Sequence, residues 1–265
     1  MSGIGRILGG ALIAFEFLTP LRLRRVQSYD DRVFAEALGW YPFIGLIIGG
    51  VLAIADLGLS RLLPPAPTAA LLVALLALRS GGLHLDGVAD TADGMAVQGD
   101  RARRLGVMAE GNTGPAGVMA LVLVLLTEWA ALSSLPPDVR VAGLLLAPTL
   151  ARWTVVPVGV LFAPARPRGL GHALAQGMWP VAAPLATTIG VIAAFALFGA
   201  PGRVLVLTAG VAAFVLAGAA ARLLEGVTGD VFGACIEVSQ VVVWMAIVAA
   251  GSHGWITSTF RIAGA

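Results

Sequence analysis

Long stretches with almost no charge constrain the fold of this chain more than any other feature. Mean hydropathy is +0.91, and 12% of the 265 residues are charged, whereas soluble domains carry about 25%. Several segments of about 20 residues are nearly uncharged, which is the length that an α-helix needs to cross a bilayer. We therefore predict an all-α, polytopic integral membrane helical bundle.

Prolines, glycines and charged residues divide the chain into about seven predicted spans. They lie at residues 33–60, 68–80, 115–135, 139–162, 179–198, 204–221 and 234–250. Small residues in the first span, including Gly45 and Gly49, allow close helix packing. An apolar N-terminal helix at residues 4–19 either crosses the membrane or lies at its surface. With no repeat or soluble second region, we expect one membrane-embedded domain over residues 1–265.

The arginines predict an orientation. Most of them lie in the loops at residues 21–32, 79–112, 163–178 and 222–233, whereas the opposite loops hold only Arg61, Arg140 and Arg203. The positive-inside rule then places the arginine-rich side in the cytoplasm, for a multi-pass protein of the cell membrane. Because the arginines are spread between spans, we expect the lipid bilayer and no nucleic acid as a partner. Homo-oligomerisation stays open.

Residues 81–94, GGLHLDGVADTADG, are the most acidic stretch and place Asp86, Asp90 and Asp93 within eight residues. On a helix, with about 100° per residue, these carboxylates fall within about 60° of one another. Because three negative charges on one face repel one another, we expect a cation to be bound between them. Mg²⁺ binds hard oxygen ligands, often together with phosphate. We predict a Mg²⁺-dependent transferase acting on a phosphate ester or diphosphate. The alternative is a solvated helix with ordinary surface acids.

Polar residues next to this stretch each have two interpretations. His84 either donates to a phosphate oxygen or acts as a general base, or it is hydrogen-bonded at the start of a helix. Glu110, with Asn112, is either a fourth carboxylate near the metal or an ordinary helix-end residue. Three arginines follow the acidic stretch and either recognise an anion or only obey the positive-inside rule. They are Arg101, Arg103 and Arg104.

A second polar patch begins with Thr228-Gly229-Asp230 and continues with Glu237 inside the last predicted span. Asp230 and Glu237 are seven residues apart, which places both on one face of a helix. An ionisable residue within a span indicates function by default. Arg152 also lies within a predicted span, and we expect it to pair with one of these acids or with the substrate.

The pattern GG-x-HLDG-x-AD-x-x-DG at residues 81–94 and the pattern TGD-x-x-GA-x-x-E at residues 228–237 resemble those of the cobalamin synthase family, the adenosylcobinamide-GDP ribazoletransferases. Further matches, in the same order as in the family, extend the resemblance over nearly the whole chain. They are Pro42, Gly45, Gly49, the arginine-leucine helix from Arg104 to Met108, Glu110, Gly114, Arg152 and the GLG loop at residues 169–171.

The resemblance implies a reaction and a set of site residues. Adenosylcobinamide-GDP and α-ribazole, or its 5′-phosphate, would give adenosylcobalamin, or its 5′-phosphate, and GMP, with Mg²⁺ as cofactor. The implied catalytic residues are Asp86, Asp90, Asp93, Asp230 and His84, of which the four aspartates would hold the metal. The implied substrate-binding residues are Arg104, Glu110, Asn112, Arg152, Thr228 and Glu237.

The chain departs from the family pattern at four places, one of which is the N-terminal FLTPL at residues 17–21, which lacks the arginine usually next to the threonine. Glu110 stands where the family usually has aspartate, Asn112 where it has arginine, and Gln240 where it has a second glutamate. The missing positive charge at Asn112 raises the question of how this protein holds one of the phosphates.

Two other classes of function compete with this interpretation. A CDP-alcohol phosphotransferase or an aromatic prenyltransferase also uses aspartates on diphosphates, but the former has the motif DG-x-x-AR. Here Ala89 is followed by Asp90 instead of arginine. An ion-coupled secondary transporter would carry its acids near the bilayer midplane and show a repeated half, whereas the main acids here lie in a predicted loop.

Overall fold

A computed structural model describes residues 3–21, 23, 37–167, 172 and 181–259. The described α-helices are α1 (Gly3–Leu18), α2 (Tyr41–Leu59), α3 (Pro65–Arg79), α4 (Leu83–Ala96), α5 (Arg101–Val107), α6 (Pro115–Ser134), α7 (Pro137–Trp153), α8 (Val155–Leu161), α9 (Ala182–Phe198), α10 (Gly202–Leu224) and α11 (Gly229–Ser252). A 3₁₀ turn, Leu38–Trp40, leads into α2. The predicted all-α architecture is confirmed.

Five of the described segments are long and apolar enough to cross a membrane. They are Leu38–Leu59, Pro115–Ser134, Pro137–Leu161, Gly202–Leu224 and Gly229–Ser252. The predicted spans at residues 68–80 and 179–198 correspond to the shorter helices α3 and α9, and residues 33–36 and 179–180 lie outside the described part. Helix α3 passes the same test only together with α4, from which an 87° bend separates it.

The outer surfaces of α6 and α10 are apolar. On α6, Met119 and Leu123 are more than half exposed, and on α10 the same holds for Leu207 and Val215. A soluble protein seldom exposes a contiguous apolar surface of this kind. Acyl chains cover such a surface without cost, so the exposure fits a multi-pass membrane protein.

Helices α2 and α7 approach each other at two glycines of α2. A Cβ atom on Gly45 would overlap the carbonyl of Pro148, and one on Gly49 would lie 2.6 Å from the carbonyl oxygen of Leu144. The predicted role of these small residues in close helix packing is therefore confirmed.

Helix α11 lies at the centre of the bundle, and most of its residues are buried. Trp244 Nε1 donates to the carbonyl of Gly143 on α7 at 3.0 Å, and Ser239 Oγ donates to the carbonyl of Ala209 on α10 at 3.3 Å. The face of α10 towards α11 carries buried alanines, which let the two backbones approach. They are Ala209, Ala213, Ala217 and Ala220.

Helix α4 lies across the first turns of α6 and α11. Its Gly87 contacts the backbone of Asp230 at the start of α11, and its Asp93 accepts hydrogen bonds from the start of α6. We call this end of the bundle the site end. At the opposite, far end, Trp129 Nε1 near the end of α6 donates to Ala66 at the start of α3 at 2.9 Å.

Candidate active site

Two glycines fix the contact between α4 and α11. A Cβ on Gly87 would lie 2.6 Å from the carbonyl oxygen of Asp230, and one on Gly233 would lie 3.4 Å from Cα of His84. Because a side chain at Gly87 would push the helices apart, this glycine brings the two acidic motifs together. The two motifs, more than 130 residues apart in the chain, thus meet at one place.

A cleft of about 160 Å³ opens where the motifs meet. Four of the predicted site residues line it, namely His84, Asp86, Thr228 and Asp230. Its remaining walls are formed by Phe17, Leu18, Tyr41, Leu83, Val155, Arg166, His172, Val227, Gly229, Phe232, Gly233 and Ile236. The cleft therefore combines a polar floor with largely apolar walls.

Thr228 caps α11 and orients Asp230. The Thr228 hydroxyl accepts a hydrogen bond from the Val231 amide at 3.4 Å and donates one to Oδ2 of Asp230 at 3.1 Å. A threonine in this position satisfies one of the unpaired amides at a helix start. The Thr-Gly-Asp sequence thus both starts α11 and holds its carboxylate in the cleft.

The three aspartates of α4 have different surroundings. Asp86 is exposed at the cleft, whereas Asp90 and Asp93 are buried. The negative charges of Asp86, Asp93 and Asp230 all act on Asp90. The carboxylates therefore repel one another, and a cation at this place would relieve that repulsion. Their role as metal ligands stays a prediction.

Asp93 also joins α4 to α6. Its two carboxylate oxygens accept hydrogen bonds from the amides of Gly114, at 2.6 Å, and Gly117, at 2.8 Å. A carboxylate at this position satisfies two orphan amides and complements the positive end of the helix dipole. Asp93 therefore has a structural role that the sequence pattern alone does not reveal.

The carboxylates suit a Mg²⁺ ion by their chemistry. No three His, Cys, Asp or Glu side chains of the described residues stand close enough together to enclose one metal ion. Mg²⁺ in proteins is usually held by one or two carboxylates, with water and substrate phosphates completing the shell. Asp86 and Asp230 at the cleft, with Asp90 behind them, provide hard oxygen donors of this kind.

His84 and Glu237 form a buried contact below the cleft. Nδ1 of His84 lies 3.3 Å from Oε1 of Glu237, and both side chains are almost fully enclosed. Glu237 thus faces α4, as does Asp230, in agreement with their predicted common helix face. Nδ1 makes no hydrogen bond in the described structure, so the contact with Glu237 is electrostatic.

Arg152 has a different partner from the one we expected. Its Nη1 donates to Oε1 of Gln240 at 2.6 Å and to the carbonyl of Pro148 at 3.3 Å. Gln240 in turn donates to Oε1 of Glu128 at 3.0 Å. The described contacts of Arg152 therefore include no hydrogen bond or ion pair with Asp230 or Glu237, and its expected role in substrate binding stays a prediction.

Two of the predicted anion-binding arginines support helix ends. Arg104 Nη1 donates to the carbonyls of Gly94, at 3.2 Å, and Met95, at 2.7 Å, at the end of α4. Arg101 donates to the carbonyls of Leu224 and Ala165. Arginines in such places satisfy the last carbonyls of a helix. Neither residue lines the cleft.

Glu110 and Asn112 lie in the connection between α5 and α6. Both are exposed, and neither lines the cleft. Their roles in metal and substrate binding stay predictions.

Arg166 lines the cleft, although the sequence patterns do not single it out. The chain before it pairs with the chain before α11, since the Val227 amide donates to Ala163 at 2.9 Å and the Ala165 amide donates to Val227 at 2.8 Å. This short parallel bridge holds residue 166 over the aspartates. No local sequence pattern indicates a pairing between segments more than 60 residues apart.

Comparisons with known proteins agree with this arrangement. The model of the cobalamin-5-phosphate synthase family matches residues 10–248. A Pseudomonas paraeruginosa protein named adenosylcobinamide-GDP ribazoletransferase is 41% identical over 244 residues, which cover 91% of this chain and 98% of the relative. Proteins of the same name from Pseudomonas aeruginosa and Geotalea daltonii are 39% and 34% identical, each over 91% of this chain and over 98% and 97% of the relative, respectively.

No solved structure matches the chain. The family model spans both acidic motifs, and the relatives are covered almost from end to end. The chain therefore belongs to the cobalamin-5-phosphate synthase family.

Proposed function

We propose that this protein is an adenosylcobinamide-GDP ribazoletransferase. It joins adenosylcobinamide-GDP to α-ribazole or α-ribazole 5′-phosphate and releases GMP. The observation that carries the proposal is the near full-length similarity to relatives of that name, combined with the meeting of both acidic motifs at one cleft.

The proposed reaction is a phosphoryl-group substitution. A ribose hydroxyl of the ribazole attacks the diphosphate phosphorus that carries the aminopropanol arm. A new P–O bond forms, the P–O bond to GMP breaks, and the hydroxyl proton leaves to a base or to water. Such reactions depend mainly on positioning and on stabilising charge at the phosphate oxygens.

The cleft residues suit this task. The proposed Mg²⁺ ligands are drawn from Asp86, Asp90, Asp93 and Asp230, of which one or two would hold the ion while water and substrate phosphates complete its shell. Mg²⁺ when bound would supply positive charge to the diphosphate oxygens and the departing GMP. Thr228 holds the Asp230 carboxylate in one orientation. The apolar walls limit access of water to the reacting phosphate. The proposed role of His84, which lies beside Glu237, is to donate to a phosphate oxygen or to accept the hydroxyl proton.

The size of the cleft indicates how the substrate docks. About 160 Å³ accommodates a phosphate-sized group but not a whole corrinoid nucleotide. The corrin ring would therefore stay outside, at the membrane face. We place the site end in the cytoplasm of a cell-membrane protein, because the described arginine-bearing segments 79–112, 163–167 and 222–233 lie there and water-soluble substrates reach that face.

Product formation by purified protein in detergent tests the proposal. Wild-type protein with adenosylcobinamide-GDP, α-ribazole 5′-phosphate and Mg²⁺ should release GMP and form a new cobamide. Both products should disappear with EDTA and return when Mg²⁺ is restored. Absence of product from folded protein, with turnover of a CDP-alcohol or prenyl diphosphate instead, would reject the proposal.

A further inference from the structure

Arg166 is the only arginine among the described residues that line the cleft. It is half-buried, and the bridge between residues 164 and 227 fixes its backbone. Its Nη2 donates to the carbonyl of Leu105 at 3.1 Å. A guanidinium has five N–H donors, so one hydrogen bond anchors the side chain and leaves donors for a ligand.

The charges around Arg166 are those of a site for an anion and a cation together. Its positive charge acts on both Asp90 and Asp230. Two other described arginines near this end, Arg101 and Arg104, bind backbone carbonyls at helix ends. Without Arg166, the permanently charged side chains in the described lining of the cleft are the carboxylates of Asp86 and Asp230, which repel a phosphate when no cation is bound.

We infer that Arg166 binds the phosphate groups of the substrate directly, as the cationic partner on the cleft wall opposite the aspartates. Guanidinium pairs with phosphate through parallel, charge-assisted hydrogen bonds. Naming the ligand as the diphosphate of adenosylcobinamide-GDP rests on the proposed function, whereas recognition of a phosphate does not. Arg166 thus supplies at the cleft a positive charge that the exposed Asn112 does not provide.

Pyrophosphate binding in the presence of Mg²⁺, measured by titration calorimetry on the full chain in detergent, tests this inference. We expect Arg166→Gln to weaken pyrophosphate binding about tenfold or more, because a charged hydrogen-bond donor is lost. The pyrophosphate affinity of Arg166→Lys should lie between those of wild type and Arg166→Gln, since lysine keeps the charge but not the planar set of N–H donors. Arg103→Gln is the matched control, because Arg103 is exposed at the same end and does not line the cleft.

The outcomes separate this inference from the proposed function. Equal binding by wild type and Arg166→Gln, or an equal loss in Arg103→Gln, would overturn it, as would absence of binding to wild type. A loss of affinity that only tracks a lower melting temperature would also overturn it. Wild-type protein that binds pyrophosphate but makes no cobamide would reject the proposed function. Loss of this binding in Arg166→Gln would still support the inference. In an active enzyme, Arg166→Gln should raise KM for adenosylcobinamide-GDP and leave KM for the ribazole unchanged.

Discussion

Arg152 donates a 2.6 Å hydrogen bond to Gln240 in the interior of the bundle. Gln240 also donates to Glu128 at 3.0 Å, so one amide joins a buried cation on α7 to a buried acid on α6. Only a side chain with both an acceptor and a donor at its end can do this. An ionised glutamate here would face Glu128 with no proton to donate.

Exchanging the acid at residue 128 and the amide at residue 240 tests this hydrogen-bonded chain of Arg152, Gln240 and Glu128. Gln240→Glu should lower the stability of the protein by about 2 kcal/mol, because Glu128 loses its donor and meets a second carboxylate. Adding Glu128→Gln restores a donor opposite the new carboxylate, so the double variant should recover most of the loss. Melting temperatures in detergent of both single variants and the double variant complete the cycle. Additive losses would show that the two positions do not interact.

Asp90 and Asp93 should respond differently to the same substitution. Asp90→Asn should abolish cobamide formation at an unchanged or higher melting temperature, because it removes one of several mutually repelling charges. Asp93→Asn should also lower stability by about 1 kcal/mol, because one of its two oxygens becomes a donor facing the α6 amides. Turnover and thermal melting of both variants check this. A fully active Asp90→Asn enzyme would contradict the proposed metal site.

Much of the fold follows from local sequence features. Uncharged stretches predict helices because a backbone in lipid must satisfy its own hydrogen bonds, and Gly45 and Gly49 predict a close helix contact for steric reasons. The spacing of Asp86, Asp90 and Asp93 predicts their shared helix α4. These properties depend on neighbours in the chain, so sequence periodicity reveals them.

Other parts of the site depend on contacts between distant segments. The sequence pattern groups Asp93 with Asp86 and Asp90, yet in the structure its carboxylate also caps α6. The sequence suggests that Arg104 binds an anion, but in the structure its side chain caps α4. Arg166 lies at the cleft because its segment pairs with residue 227. A charged side chain has several possible partners of equal chemistry, and only tertiary packing selects among them.

A charge pair at the far end is expected to stabilise the protein without affecting the reaction. Arg140 donates to Asp56 through Nε at 2.8 Å and Nη2 at 2.7 Å, and its Nη1 donates to the carbonyl of Leu132 at 2.7 Å. Asp56→Asn leaves a largely buried guanidinium unpaired, which should cost about 3 kcal/mol. The melting temperature of Asp56→Asn should be lower than that of wild type, while its turnover per folded molecule should be the same.

Asp138→Asn is the control for this pair, since Asp138 is exposed at the same end. It should lower the melting temperature much less than Asp56→Asn, because a charge in the first turn of α7 contributes only about 0.3–1 kcal/mol. The double variant Asp56→Leu with Arg140→Met removes both charges and should recover stability, because no buried ion is left unpaired. Reduced turnover in folded Asp56→Asn protein would show that the far end is coupled to the cleft.

The packing of α2 on α7 offers a test of the bundle itself. Gly45→Ala places a methyl group against the Pro148 carbonyl, and because backbone cannot move aside as a flexible side chain does, the helices must separate. We expect a loss of about 1–3 kcal/mol, typical of overpacking. Gly50→Ala, five residues along the same helix and with open space around its Cβ, should instead be neutral or slightly stabilising, because alanine favours helix. The yield of monodisperse protein in detergent and its melting temperature distinguish the two variants, and equal behaviour would contradict the close contact between α2 and α7.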